Sequence, residues 1–214
     1  MDTFHLLGHI GTLCVLINSI IYVRSFAGNG KAFQYFSAFL LVIALIQVIL
    51  TISTFFNLVE NNLYMSNIYI YGQFILLSFF YKILLESRLV YVISMLVILF
   101  SIVQNVMDPT LFFRYNTIGI AMTQGVLVTY SLFYFYKALS SEVKDFHIIN
   151  FGIFLYLTSS TLIFASGNFV FDFEVISKKD YLLLLKINAI LFIVFQFIIF
   201  IEWWRNYRPK VSIN

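Results

Sequence analysis

Charge is what this sequence has least of. Only 11% of its 214 residues are Asp, Glu, Lys or Arg, against roughly 25% in an ordinary soluble domain. A chain this poor in charge cannot clothe a water-facing surface. Proline is almost missing, with Pro109 and Pro209 alone, and nine glycines are too few to build a disordered linker. The single cysteine, Cys14, excludes an intrachain disulfide. Histidine is scarce as well. His5 and His9 are one helical turn apart and His147 falls on the opposite side of the expected topology, so no metal-ligand set assembles.

Catalytic signatures are also lacking. No G-x-S-x-G, H-E-x-x-H or P-loop occurs. Carboxylates avoid the apolar runs, which removes the paired acids of an intramembrane protease and the internal acid of a proton relay. Glu202, at the edge of the last run beside Trp203 and Arg205, reads as a surface ion pair. Glu60, Asp108 and Asp172 lie in loops on one side, and an enzyme is the least motivated class.

What the chain does have is apolar mass: 61% hydrophobic residues, 26 Phe and 14 Tyr, and a mean hydropathy of +0.93. These residues fall into seven runs, near 5–23, 35–56, 68–85, 89–106, 117–136, 150–169 and 183–202. Each is close to the ~20 residues a helix needs to cross a bilayer. The expected fold is therefore all-α: one seven-transmembrane-helix bundle over residues 1–214. The first run lacks a basic leader and a cleavage site, and reads as a helix that stays.

Basic residues set the expected orientation. Arg24, Lys31, Lys82, Arg88, Lys137, Lys144, Arg205, Arg208 and Lys210 fall on one side, against Arg114, Lys178 and Lys179 on the other. The positive-inside rule then puts the N-terminus outside and the C-terminus in the cytoplasm of an inner-membrane protein. The net charge of +3 is accounted for by these loops, so nucleic acid is not an expected partner.

Polar residues inside lipid need partners, and their depth is informative. Most of the amides sit in the expected outer half, with Asn18 and Gln196 the main exceptions. This asymmetry points to an outward-facing pocket for a small apolar or amphipathic ligand. The candidate lining is Glu60, Asn61, Tyr64, Tyr69, Gln73, Asn105, Asn116, Gln124, Asn168, Lys186 and Asn188, with Asn67 in the loop above. Small residues at Gly8, Gly11 and Thr12, and at Ala121 and Gly125, mark expected close helix contacts.

The topology resembles that of microbial rhodopsins, which hold retinal on a lysine in the middle of the last helix with a carboxylate counterion on the third. Lys186 lies about four residues into the expected seventh run, roughly 6 Å down, and the third run has no Asp or Glu. Retinal is rejected on both grounds, and no other cofactor is expected. Small seven-helix sugar transporters built from two three-helix repeats are also similar in size, but their prolines and internal repeat have no counterpart here.

The segments ENNLYMSNIYIYGQFILLSFFY (60–81), DPTLFFRYNTIG (108–119) and IFASGNFVF (163–171) resemble uncharacterised seven-helix integral membrane proteins of Bacteroidetes-type bacteria. The matching positions are Asn61, Tyr69, Gln73, Tyr81, Asn116, Ser166, Gly167 and Asn168. Such proteins are sometimes encoded near sensor histidine kinases, and the resemblance implies a signalling partner of that kind. The expected function is a non-enzymatic receptor or sensory module, embedded in lipid, that works through a separate protein docking on KALSSEVKDFH (137–147) and the tail EWWRNYRPKVSIN. A small-solute transporter is the alternative, and it predicts polar lining in both halves of the bundle.

Overall fold

The structure, a computed structural model, describes residues 3–56, 63–113, 116–140, 145–165 and 178–208. Among them are seven α-helices: α1 (Thr3–Arg24), α2 (Lys31–Phe55), α3 (Leu63–Leu85), α4 (Arg88–Met107), α5 (Thr117–Leu139), α6 (His147–Ala165) and α7 (Lys178–Asn206). A short 3-10 helix, Pro109–Phe112, follows α4. Six of the seven are long and apolar enough to cross a membrane, and α6 contributes a shorter apolar stretch, His147–Ile163. A continuous helix is the form such sequences take in lipid, because it satisfies its own backbone polar groups. Large apolar side chains face outward on every helix, Leu13, Leu45, Ile68, Leu96, Leu132, Leu162 and Phe197 among them. That surface suits hydrocarbon and defines a multi-pass membrane protein.

Helix ends follow local chemistry. Ser87 caps α4 by accepting from the Leu89 N–H, and Asn116 caps α5 by accepting from the Gly119 N–H at 2.8 Å. The α3–α4 reversal takes only two residues and places Glu86 in the left-handed region, with φ of 53°. Lys137 of α5 secures that turn, donating to the Leu84 carbonyl and to the Glu86 carboxylate, both at 3.0 Å. The loop expected between the second and third runs, 57–67, is shorter than the sequence indicates, because α3 begins at Leu63.

Six helices close a ring in the order α1, α2, α3, α5, α6, α7, with α7 returning to α1. Helix α4 lies outside it, packed on α3 and α5. The ring thus comprises two three-helix units, α1–α3 and α5–α7, joined through α4. Only Val90, Ser94, Val97 and Ser101 of α4 are buried. The Ser94 and Tyr130 hydroxyls are 3.0 Å apart, and Asn105 donates to the Tyr71 hydroxyl at 3.1 Å, which ties this helix to α5 and α3.

At the end of the bundle that holds the α1 C-terminus the centre of the ring is filled, and a hollow there, of about 160 Å³, lies to one side between α3 and α5. Tyr22, Phe33, Phe36, Phe39, Phe80 and Phe146 form a buried run of ring contacts. Several polar groups there pair directly, while Gln196 Nε2, His147 Nδ1 and Ser78 Oγ have no hydrogen-bond partner among the described residues. Asn18 donates to the Gln196 side chain at 2.9 Å and to its backbone carbonyl at 2.8 Å. The Tyr22 hydroxyl donates to the Ile199 carbonyl, and the Tyr81 hydroxyl donates to Asn150 at 2.7 Å. Glu202 corrects the sequence reading. Its side chain is fully buried and accepts from the Ile148 and Ile149 N–H groups at 3.2 and 3.4 Å and from Asn206 at 2.6 Å. It neutralises the positive N-terminal end of α6 rather than pairing with Arg205 at a surface. The same contacts show that this half carries more buried polarity, through Asn150, Ser131 and Glu202, than the sequence reading assigned to it.

Candidate ligand-binding site

At the opposite end, which holds the α1 N-terminus, the ring opens into a cavity of about 290 Å³. Every ring helix contributes. The apolar wall is Phe4 and Leu7 of α1, Leu50 of α2, Ile70 of α3, Ile120 of α5, and Leu185, Ala189 and Phe192 of α7. The polar groups are Gln47, Ser66, Tyr69, Gln124, Tyr156, Ser160 and Asn188. Helical spacing explains the set: Tyr156 with Ser160 on α6, and Gln124 with Ile120 on α5, are four residues apart and share a face.

Tyr69 and Tyr156 make the floor. Their side chains interact across the ring, with Gln73 on the far side of Tyr69 and Ser160 beside Tyr156. Tyr156 is held rigidly by stacking on Phe195 at 5.2 Å between ring centres. Gln124 Oε1 accepts from the Thr161 hydroxyl at 2.8 Å, which fixes the amide on the cavity wall. One buried polar atom of the wall, Asn188 Oδ1, has no hydrogen-bond partner among the described residues. Leaving such an atom unpaired costs about 1–3 kcal/mol, so a ligand that donates to it gains that much. Gly11 brings α1 close to α7, where a Cβ would lie 3.0 Å from the Phe192 ring.

Three of the residues expected to line a pocket do so: Tyr69, Gln124 and Asn188. Gln73 is buried just behind them. Asn105 and Asn116 do not reach the cavity. Asn105 sits on the α3–α4 seam, and Asn116 is spent on the α5 cap and on Gln104. Asn67 points elsewhere as well, donating to the Leu111 and Phe112 carbonyls and pinning the 3-10 helix to α3. Tyr64, one turn above Tyr69's level, is partly buried and is not on the wall. Glu60, Asn61 and Asn168 lie outside the described residues.

Lys186 is partly buried on α7 and does not line the cavity, although Leu185 does. Helix α7 starts at Lys178, five residues earlier than expected, but its apolar span begins at Leu182, so Lys186 lies about four residues, roughly 6 Å, into that span. Helix α3 carries no Asp or Glu. Small residues divide: Gly11 makes its expected close contact, but nothing comes within 4 Å of a Cβ built at Gly8 or Gly125. The Ala121–Gly125 pair is therefore not a packing seam at Gly125.

Sequence reasoning missed Gln47, Ser66, Tyr156 and Ser160 as lining. The polar ones among them were visible at the right depth, but which face each presented depended on the order of the ring. Tyr156 was hidden among many aromatics. Comparison with protein-family models, curated proteins and solved structures finds no match to this chain.

Proposed function

We propose that this protein is a non-enzymatic receptor or sensory module of the cytoplasmic membrane. It crosses the bilayer seven times, N-terminus out and C-terminus in, and binds a small apolar or amphipathic ligand in its outward-facing cavity. The observation that carries the reading is the contrast between the bundle's two ends. One holds an aromatic-walled cavity with a few convergent polar groups, the usual composition of a small-molecule site. The other is closed by buried aromatics and directly paired polar groups. Ligand contacts on α7, through Leu185, Asn188 and Phe192, are made by the same helix that carries Gln196 and Glu202 at the closed end. A separate signalling protein, such as a histidine kinase, would read that helix at the cytoplasmic face.

The test is a ligand screen by thermal unfolding of the purified protein, paired with native mass spectrometry of whatever co-purifies. A ligand at 100 times its Kd raises stability by about 2.7 kcal/mol. Replacing Gln124 with Leu should abolish that gain without unfolding the protein. Finding no ligand and no co-purifying molecule would sink the reading.

Transport is the second reading, and two observations favour it. The ring comprises two three-helix units joined by a peripheral α4, an arrangement that two repeats rocking against each other would use. Buried polar residues also continue past the cavity, through Asn18 and Gln196 to Asn150 and Tyr81. Uptake of the screened ligand into vesicles decides between them. Accumulation that stops in Asn18→Leu would favour transport.

A further inference from the structure

A second hollow, of about 430 Å³, lies between α1 and α2 alone, on the outside of the ring at the same end as the cavity. It shares Phe4, Gly8, Gln47 and Leu50 with the central cavity. Those four residues are therefore the partition between the ring interior and the lipid-facing side. Helix seams ordinarily close by ridges fitting grooves, and this one does not close at Gly8, where a Cβ would meet nothing within 4 Å. On its other side α1 is packed closely one turn deeper, where a Cβ at Gly11 would lie 3.0 Å from the Phe192 ring of α7.

The polar groups of the outer hollow are unequal. The Thr12 and Thr51 hydroxyls donate to carbonyls of their own helices, Gly8 at 3.0 Å and Gln47 at 2.8 Å. One ring N–H on each of His5 and His9 and the Gln47 amide NH2 remain as donors around the opening. Converging donors at the edge of a membrane favour an acceptor-rich oxyanion such as a carboxylate or phosphate. Beyond the partition Leu7, Ile70, Ile120, Leu185 and Phe192 alternate with the polar side chains named above, and most of the surface the wall presents is apolar. A cavity of about 290 Å³ is near the lower bound for small-molecule pockets and suits one hydrocarbon chain, not two.

We propose that the cavity is loaded sideways from the surrounding lipid, through a portal between α1 and α2, by a single-chain amphipath whose oxyanion head stays beside His5 and His9. This rests on the binding reading above and names its ligand class and route. The experiment uses the full-length protein in nanodiscs with three diazirine-tagged lipids: palmitate, lysophosphatidate and a neutral monoacylglycerol. Adducts are mapped by peptide mass spectrometry.

The oxyanion probes should label cavity segments of α5 and α7, and Gly8→Phe should cut that labelling about tenfold, a change of about 1.4 kcal/mol in binding. His5→Leu with His9→Leu should weaken the two oxyanion probes and leave the neutral lipid unchanged. The stronger of palmitate and lysophosphatidate tells whether the head is carboxylate or phosphate. Leu50→Trp narrows the same opening from α2 and repeats the test if Gly8→Phe does not accumulate. Cavity labelling that survives both portal variants overturns the lateral route, and equal labelling by the neutral lipid overturns the oxyanion head. If a water-borne ligand still binds in a Gln124-dependent way while no lipid labels the cavity, the binding reading stands and this inference falls. If neither binds, both fall.

Discussion

At the scale of single residues, the polar pairs of the closed end carry the sharpest expectations. Removing the Asn18 amide with Asn18→Leu strands Gln196, which already has Nε2 unpartnered in the interior. The expected loss is about 1–3 kcal/mol, read as a lower unfolding midpoint in detergent, and the double variant with Gln196→Leu should recover part of it. Tyr207, just past the end of α7, gives a pH signature. Burial raises its hydroxyl pKa, and the nearby Glu202 and Asp145 carboxylates and Tyr134 raise it further. Its ring stacks on Phe146 and packs on Phe33, so Tyr207→Phe keeps those contacts. The neutral phenol is the form the fold accepts, whereas an unfolded tyrosine ionises near pH 10. The stability it contributes is complete below that pH and is lost as pH rises toward the folded pKa. Alkaline titration of the unfolding midpoint should show this loss in the wild type and less of it in Tyr207→Phe.

At the scale of elements, packing separates positions that look alike in sequence. A Cβ at Gly152 would meet Ile198 Cγ2 at 2.8 Å and the Phe195 ring at 3.0 Å. Gly152→Ala should therefore strain the α6–α7 seam by about 1–3 kcal/mol, whereas Gly8→Ala should stay within about 0.5 kcal/mol. Helix α4 offers a similar contrast. Leu96 is 60% exposed there while Leu77 of α3 is fully buried, so Leu77→Ala should cost about 2–5 kcal/mol and Leu96→Ala almost nothing. Thermal unfolding of the variants checks both pairs. Among the described residues, the apolar helices and most of their bounds were legible because length and apolarity alone decide them in lipid. The start of α3 was not, because the polar run Asn-Asn-Leu-Tyr-Met-Ser-Asn reads as loop until Asn67 is seen holding the Leu111 and Phe112 carbonyls. The site was legible in depth and not in facing. Gln124 and Asn105 share amide chemistry and a similar level, and only the exclusion of α4 from the ring sends one to the cavity and the other to a seam. Glu202 was misread because an acid between apolar and basic residues looks like an interface pair, and nothing in its neighbours reveals the α6 amides it serves.

At the scale of the whole molecule, α7 is the piece that finishes the bundle. It supplies one wall of the cavity, packs on both α1 and α6, and carries the carboxylate that satisfies the α6 N-terminus. Helix α6 is also the one whose described apolar stretch is shorter than the others. Until α7 leaves the ribosome, α6 has open N-terminal amides and α1 has no neighbour on its far side. Biogenesis is therefore a clasp: a chain stopped at residue 177 should be cleared by membrane proteases even though most of its helices are made. Supplying α7 as a separate peptide should rescue it, and a peptide carrying Glu202→Leu should rescue it poorly, as read by the amount of the truncated chain that persists after synthesis is blocked. On this reading Glu202, in the last turn and a half of α7, is the group whose seating on the α6 amides marks the ring as shut.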